Sequence, residues 1–246
     1  MNRQAVNPYL PSWEYIPDGE PHVFNGRVYV YGSHDRFNAP IFCVNDYVCW
    51  SAPVEDLSEW RYEGVIYRKK QDPKNPLGYH LLFAPDVCQG PDGRYYLYYA
   101  FDFLGIMSVA VCDTPAGEYK FLGHIHYADG TLWGRRRGDQ LPFDPGVLVD
   151  DDGRVWLYSG FYNAVPAILT GGHKLRCDGG TVLELEKDMV TIKTEPRVIF
   201  PKKGPGAFQG HEFFEAPSIR KVGDTYYDEI PKDCLLYTSP SPRDCS

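Results

Sequence analysis

The sequence predicts an all-β protein and, within that class, a β-propeller. Its 24 Gly and 21 Pro are spread along 246 residues, which is typical of many short elements joined by turns. The aromatic content is 15%, and aromatic side chains favour half-buried strands. The third observation is a unit that occurs four times. In each unit an acidic residue is followed by a turn glycine, and the glycine opens a strand. The acids are Asp18, Asp86, Asp144 and Glu215, and the glycines are Gly26, Gly93, Gly153 and Gly223.

The first unit shows this order most clearly. Asp18 lies in the proline-containing loop Tyr15–His22, and the pair Asn25-Gly26 is a strong hairpin signal ahead of β-branched and aromatic residues. Strands are predicted at Arg27–Ser33, Ile41–Ser51 and Gly64–Tyr67.

The later units repeat the order at similar intervals. The four turn glycines are 67, 60 and 70 residues apart, which indicates a blade repeat with long loops. Further strands are predicted at Arg94–Tyr99, Ile106–Cys112, Phe121–Tyr127, Arg154–Gly160 and from Thr225, with a short helix conceivable within Glu184–Met189. A β-sandwich also supplies short strands, but it does not explain an acid ahead of the first hairpin turn in every unit.

The fourth unit is interrupted. After Tyr227 the apolar alternation is lost, and the final residues resemble translated sequencing-adapter DNA. We therefore expect an incomplete propeller, about three blades and the start of a fourth, over residues 1–232. Residues 233–246 are interpreted as a non-native, disordered, adapter-like tail, with a genuine disordered tail as the alternative.

Charge and cysteine content limit the partners and the compartment. The net charge of −8 argues against nucleic acid or an anionic membrane as partner. The basic run Arg135–Arg137 is either a solvated turn or a clamp for an anion or substrate. Seven cysteines without zinc spacing indicate reduced thiols, and neither a signal peptide nor a membrane span is evident. We expect a cytoplasmic protein.

The repeated acids indicate chemistry. The first strand of each propeller blade lines the central axis, so loops that precede these strands converge on one mouth of the channel. Several carboxyl groups meeting there suit glycoside hydrolysis, in which one acts as base and another as acid.

Several motifs together resemble glycoside hydrolase family 43, over about Asn7 to Tyr227. The motifs are Pro17-Asp18, Phe143–Pro145, Asp151–Gly153 and Glu215–Lys221, supported by Tyr31–Asp35, Asp56–Trp60 and Ala84–Val87. The resemblance implies a five-bladed β-propeller and inverting enzymes, mostly β-xylosidases, α-L-arabinofuranosidases and arabinanases.

The resemblance also implies roles for three acids. Asp18 would be the general base, Glu215 the general acid, and Asp144 the residue that keeps Glu215 protonated and oriented. Inversion requires base and acid carboxyls roughly 6.5–9.5 Å apart. Asp18 and Asp144 could instead merely stabilise turns. Asp86 lies outside the family's trio and is either structural or lines the site.

Other side chains are candidates for contact with the sugar. The substrate-binding candidates are His34, Phe37, Trp50, Phe83, Asp86 and His211. No cofactor is predicted, and His124 with His126 supplies too few ligands for a metal. The resemblance allows a channel-bound ion in the full-length protein.

We therefore expect a hydrolase that releases arabinofuranosyl or xylosyl residues, in an exo manner, from plant cell-wall oligosaccharides. A non-catalytic glycan-binding propeller, or an inactive fragment of such an enzyme, is the alternative. Sucrose- and fructan-cleaving propellers are disfavoured because Ile16–Gly19 lacks their Asn-Asp-Pro-Asn motif, and a phosphorolytic enzyme would need a phosphate cluster. We expect this chain to be poorly active, because an interrupted ring leaves an unpaired blade edge.

Overall fold

The computed structural model describes residues 8–203 and 212–229. In this part of the chain the regular structure is β-strand, apart from one 3-10 turn at Lys69–Gln71. The strands form three four-stranded antiparallel sheets and one hairpin, each strand pairing with its neighbour in sequence. Such consecutive meanders are the blades of a propeller.

Blade 1 contains β1 (Glu20–Phe24), β2 (Arg27–Tyr31), β3 (Tyr47–Pro53) and β4 (Arg61–Tyr67). Its first turn is the predicted Asn25-Gly26 pair, with φ of 50° and 76°. A type I′ turn requires positive φ at both central residues, which is why this pair marks the hairpin.

Blades 2 and 3 follow the same order. Blade 2 contains β5 (Asp86–Gln89), β6 (Tyr95–Ala100), β7 (Met107–Cys112) and β8 (Lys120–His124). Blade 3 contains β9 (Gly146–Val149), β10 (Val155–Ser159), β11 (Gly179–Leu185) and β12 (Arg197–Pro201). The hairpin of β13 (Ser218–Val222) and β14 (Thr225–Glu229) begins the fourth blade.

Three details differ from the sequence prediction. The strand predicted from Ile41 begins only at Tyr47, because Cys43 has a φ of 56° and lies in a loop. The prediction of a short helix within residues 184–189 is wrong. Strand β11 runs to Leu185, and a turn follows in which Met189 has a φ of 70°. Strands β11 and β12 were not predicted from the sequence.

The blades are held together by large aromatic side chains. Between blades 1 and 2 the core contains the fully buried Tyr31, Tyr67 and Tyr99, and the Tyr67 and Tyr99 hydroxyls are 2.6 Å apart. Between blades 2 and 3 it contains Tyr98 and Trp133. Burying such rings stabilises the stacked blades and fixes the inner strands β1, β5 and β9 beside one another.

The described residues contain three blades and the first hairpin of a fourth, in agreement with the predicted propeller class. The predicted tail at residues 233–246 lies outside the described residues. No helix of the described segments is long and apolar enough to span a membrane. The described part of the chain contains the five free thiols Cys43, Cys49, Cys88, Cys112 and Cys177. The cytoplasmic location inferred from the cysteine count remains a prediction.

Candidate active site

The loops that precede the inner strands meet at one mouth of the channel. There Asp18, Asp144 and Glu215 line a single cavity of about 370 Å³. Each acid comes shortly before the first strand of its blade, so the convergence follows from the repeated unit. The wall of the cavity is aromatic and contains Phe42, Phe83, Phe103, Phe143, Phe161 and Phe214.

The Asp18 carboxylate is oriented by the segment that follows β2 in blade 1. The buried Ser33 hydroxyl lies 2.8 Å from Asp18 Oδ2 and donates a hydrogen bond to it. Asp18 itself has a φ of 54°, a conformation that is uncommon outside glycine and that is often retained at functional sites. Gly32 allows the loop to approach, since a Cβ there would lie 2.7 Å from the Pro17 carbonyl oxygen.

The Asp144 carboxyl is the most deeply buried of the three, and the residue is 5% exposed. It accepts a hydrogen bond from the Ala216 backbone N–H, which ties it to the residue after Glu215. Burial, followed by the charges of Glu215 and Asp18, raises the pKa of Asp144 well above its usual value. Burial therefore favours the protonated form of Asp144.

The Glu215 carboxyl is half-buried and carries a raised pKa. Burial is the larger cause, and the charge of Asp18 is the second. The sequence-based interpretation gave Asp144 the task of keeping Glu215 protonated. In the structure burial and the charge of Asp18 raise the pKa of Glu215, while Asp144 contacts the Glu215 loop through Ala216.

Two of the candidate substrate-binding aromatics lie at or beside the cavity. Phe83 lines it and is 7% exposed. Phe37 is 75% exposed in a neighbouring depression that shares Asp35 and Phe42 with the cavity. These positions leave both side chains available for contact with a bound sugar.

Three other candidates are placed elsewhere, and we reassign them. The Trp50 indole N–H donates to Glu14, 2.8 Å away, and the side chain is buried on blade 1. Both ring nitrogens of His34 are occupied, by Glu14 (2.9 Å) and by the Asp46 carbonyl (2.9 Å). Through Glu14, Trp50 and His34 therefore anchor the N-terminal segment and the loop after β2. Neither Trp50 nor His34 lines the cavity.

Asp86 is also structural. It is 1% exposed, and its carboxylate accepts hydrogen bonds from His22 (2.6 Å) and from the Val147 N–H (2.7 Å). It therefore joins β1 to β9 and does not face the cavity. The remaining candidate, His211, lies outside the described residues.

Sequence reasoning missed several residues at the site. Ser33 lies within Tyr31–Asp35, one of the motifs that support the family resemblance. That motif is the sequence feature that could have identified Ser33 as a site residue. Asp35 lines the cavity and accepts a hydrogen bond from the Cys43 N–H (2.5 Å). Phe103 and Phe161 reach the cavity from loops that follow β6 and β10, and no local pattern distinguishes them from core aromatics.

The basic run Arg135–Arg137 does not form a clamp over the acids. The Arg135 guanidinium donates to three backbone carbonyl oxygens, at 2.8, 2.9 and 3.0 Å. The Arg136 guanidinium lies 3.4 Å from the centre of the Tyr127 ring and pairs with Asp129. Neither arginine lines the cavity. The structure therefore offers no support for a phosphate cluster at the acids.

One group in the described residues has the composition of a metal site. Ligand atoms of Glu20, His22 and Asp86 lie within 4.8 Å of one another. His22 Nε2 is already hydrogen-bonded to Asp86, and Glu20 is paired with Arg220. A cation would have to break these bonds next to a guanidinium, so these residues do not fit an ion.

The family model "Glycosyl hydrolases family 43" matches residues 17–228. The chain belongs to this family. A "Xylosidase/arabinosidase" from Thermoclostridium stercorarium is 62% identical over 231 residues, which cover 92% of this chain and 47% of that protein. "Xylosidase/arabinosidase 43A" from Humicola insolens is 31% identical, covering 87% of this chain and 71% of that protein. The family 43 chain thus spans about half the length of the Thermoclostridium relative.

Solved structures agree with this assignment. A family 43 β-xylosidase/α-arabinofuranosidase from a compost microbial metagenome, in complex with xylotriose, superposes with a TM-score of 0.66 at 26% identity. The alignment covers 92% of this chain and 72% of that chain. The RS223 β-xylosidase superposes with a TM-score of 0.64 at 24% identity over 87% of this chain and 70% of that chain, and it supports the fold alone.

Proposed function

We propose that the full-length protein is an inverting glycoside hydrolase that releases arabinofuranosyl or xylosyl residues from plant cell-wall oligosaccharides. Asp18 is the general base that takes a proton from the attacking water. Glu215 is the general acid that protonates the leaving oxygen. The observation that carries this proposal is the cavity shared by Asp18 and a Glu215 whose pKa is raised.

The reaction needs opposite protonation states of the two carboxyl groups. Glu215 must hold a proton at the start of the reaction, and burial together with the charge of Asp18 favours its protonated form. Asp18 must be an anion, and the Ser33 hydroxyl donates to its carboxylate.

Asp144 positions the loop that contains the general acid. Its carboxyl accepts a hydrogen bond from the Ala216 N–H, next to Glu215, and burial raises its pKa. The protonated form, which burial favours, holds the acid loop without adding a third charge to the cavity. We therefore assign it the orientation of Glu215.

The aromatic wall suits a single sugar ring. The faces of aromatic rings bind the apolar C–H surfaces of sugars, and the cavity is of the size that small-molecule sites have. Phe37, exposed in the adjoining depression beside Tyr15, is placed to contact the leaving-group sugar. This arrangement supports exo action, with the released residue in the cavity.

The stereochemistry of the product tests the proposal. The full-length protein would be mixed with an aryl β-D-xyloside or an aryl α-L-arabinofuranoside, and the anomeric protons of the sugar followed by NMR from the first minute. We expect the first sugar released to have the opposite anomeric configuration to the substrate. Retention of configuration, or no hydrolysis of either glycoside, would contradict the proposal. The ratio of the two rates would also assign the preferred sugar.

A further inference from the structure

The proposed base and acid lie in the loops that precede two strands of different blades. Asp18 lies two residues before β1, and Glu215 lies three residues before β13. The two strands belong to different sheets, so no backbone ladder sets the distance between them. Another contact must therefore hold the two loops in register.

Side chains two to five residues after the acids make such a contact. Glu20 Oε2 accepts hydrogen bonds from the Arg220 guanidinium and from the Ser218 hydroxyl, which is 3.1 Å away. Arg220 also donates to the Pro21 carbonyl oxygen at 3.3 Å. Glu20 thus binds β13 at two points. The bridge joins a residue two positions after the base to residues three and five positions after the acid.

The bridge is shielded from solvent more than a typical surface pair. The Glu20 and Arg220 side chains are 23% and 33% exposed. Glu20 and Ser218 line a second cavity, of about 500 Å³, which Asp18 and Asp144 also line. A charged pair in such a place is screened less by water and salt than an exposed one.

Neither partner lines the aromatic cavity. That cavity is lined by all three acids, but not by Glu20, Ser218 or Arg220. Since the bridge does not line that cavity, we expect it to act on hydrolysis through the position of Asp18 and Glu215.

We propose that Glu20 and Arg220 are positioning residues that set the separation of the base and acid carboxyl groups. This inference rests on the proposed function. Inverting hydrolysis needs space for one water molecule between the two groups, and a misplacement of about 1 Å can lower a rate by roughly 100-fold. A bridge anchored two residues from Asp18 transmits its position directly to the base.

The test compares kcat and KM of full-length Glu20→Ala, Glu20→Gln, Arg220→Ala and the double Ala variant on an aryl glycoside. We expect Glu20→Ala and Arg220→Ala each to lower kcat by roughly 10- to 100-fold, with KM changed less than about threefold. Glu20→Gln keeps an oxygen acceptor and should recover much of kcat. The double variant should be no worse than either single variant, because both remove one bridge.

Arg94→Ala serves as the matched control, since Arg94 pairs with Asp92 on the exposed β5–β6 hairpin. It should leave kcat unchanged. If Glu20→Ala lowers only the melting temperature, or if the two single effects add in the double variant, the positioning role is overturned while the proposed function stands. If the wild-type protein hydrolyses no glycoside, the proposed function fails, and this inference fails with it.

Discussion

The Ser33 hydroxyl donates a hydrogen bond to Asp18 Oδ2 over 2.8 Å. Ser33 is fully buried, so water cannot easily replace it at the carboxylate. The bond holds one rotamer of the proposed base toward the cavity. It also explains why the motif Tyr31–Asp35 accompanies the acid motif in the sequence.

Removal of this hydroxyl should therefore slow hydrolysis. Ser33→Ala deletes a hydrogen bond to a charged group, which contributes about 1.5–3 kcal/mol, so we expect kcat to fall roughly 10- to 100-fold. Steady-state kinetics of the full-length protein measure it. Ser58→Ala removes a similar bond to Asp56 far from the cavity and should leave kcat unchanged. An unchanged kcat in Ser33→Ala would exclude the orienting role.

Burial of Asp144 should reduce stability at neutral pH. Its folded-state pKa is raised, so the unfolded chain releases the proton more readily, and the folded state loses relative stability as pH rises above the unfolded value of about 3.9. Asp144→Asn is always neutral. We expect it to melt at a higher temperature than the wild type at pH 7, with the difference shrinking toward pH 4.

Asp188 provides a control of opposite sign. Its carboxylate accepts hydrogen bonds from the Thr191 and Val190 N–H groups, at 2.9 and 3.1 Å, and its pKa is lowered. Asp188→Asn should therefore melt at a lower temperature at pH 7. Thermal unfolding of both variants between pH 4 and pH 7 measures the two effects. A lower melting temperature for Asp144→Asn at pH 7 would show that its ionised form is stabilised.

Gly32 is required by space and not by an unusual φ. A Cβ at this position would lie 2.5 Å from the Ile16 side chain and 2.7 Å from the Pro17 carbonyl oxygen. We expect Gly32→Ala to displace the Asp18 loop and lower kcat by at least about tenfold. Gly130→Ala is the control, because Gly130 has a φ of +82° but open space around it. It should lower the melting temperature and keep kcat. Equal kcat values for the two variants would contradict the steric argument.

Much of the fold was predictable because it depends on local chemistry. The Asn25-Gly26 turn and the acids before each inner strand follow from side chains that need particular backbone conformations or positions. Strand β11 begins with Gly179 and Gly180 and contains a register shift after Gly180, so it lacks the usual strand pattern. That irregularity hid the strand from sequence reasoning.

The site was predictable only in part. The three acids were predicted because an acid recurs in each unit and the family resemblance separates Asp18, Asp144 and Glu215 from Asp86. Trp50 was assigned to the substrate site, but its side chain binds Glu14 from a distant segment. The residues adjacent to a tryptophan in sequence do not determine which face of a blade its side chain occupies. Phe103 and Phe161 were missed because they reach the cavity through tertiary packing of loops.

The dependence of rate on the leaving group tests the central claim most directly. Full-length Glu215→Gln and Asp18→Asn would each be assayed on an oligosaccharide and on a 2,4-dinitrophenyl glycoside, whose leaving group needs no proton. We expect Glu215→Gln to lose roughly 100- to 10,000-fold on the oligosaccharide but far less on the dinitrophenyl glycoside, and Asp18→Asn to lose heavily on both. Equal losses on the two substrates for Glu215→Gln, or near-normal turnover by Asp18→Asn, would contradict the assignment of acid and base.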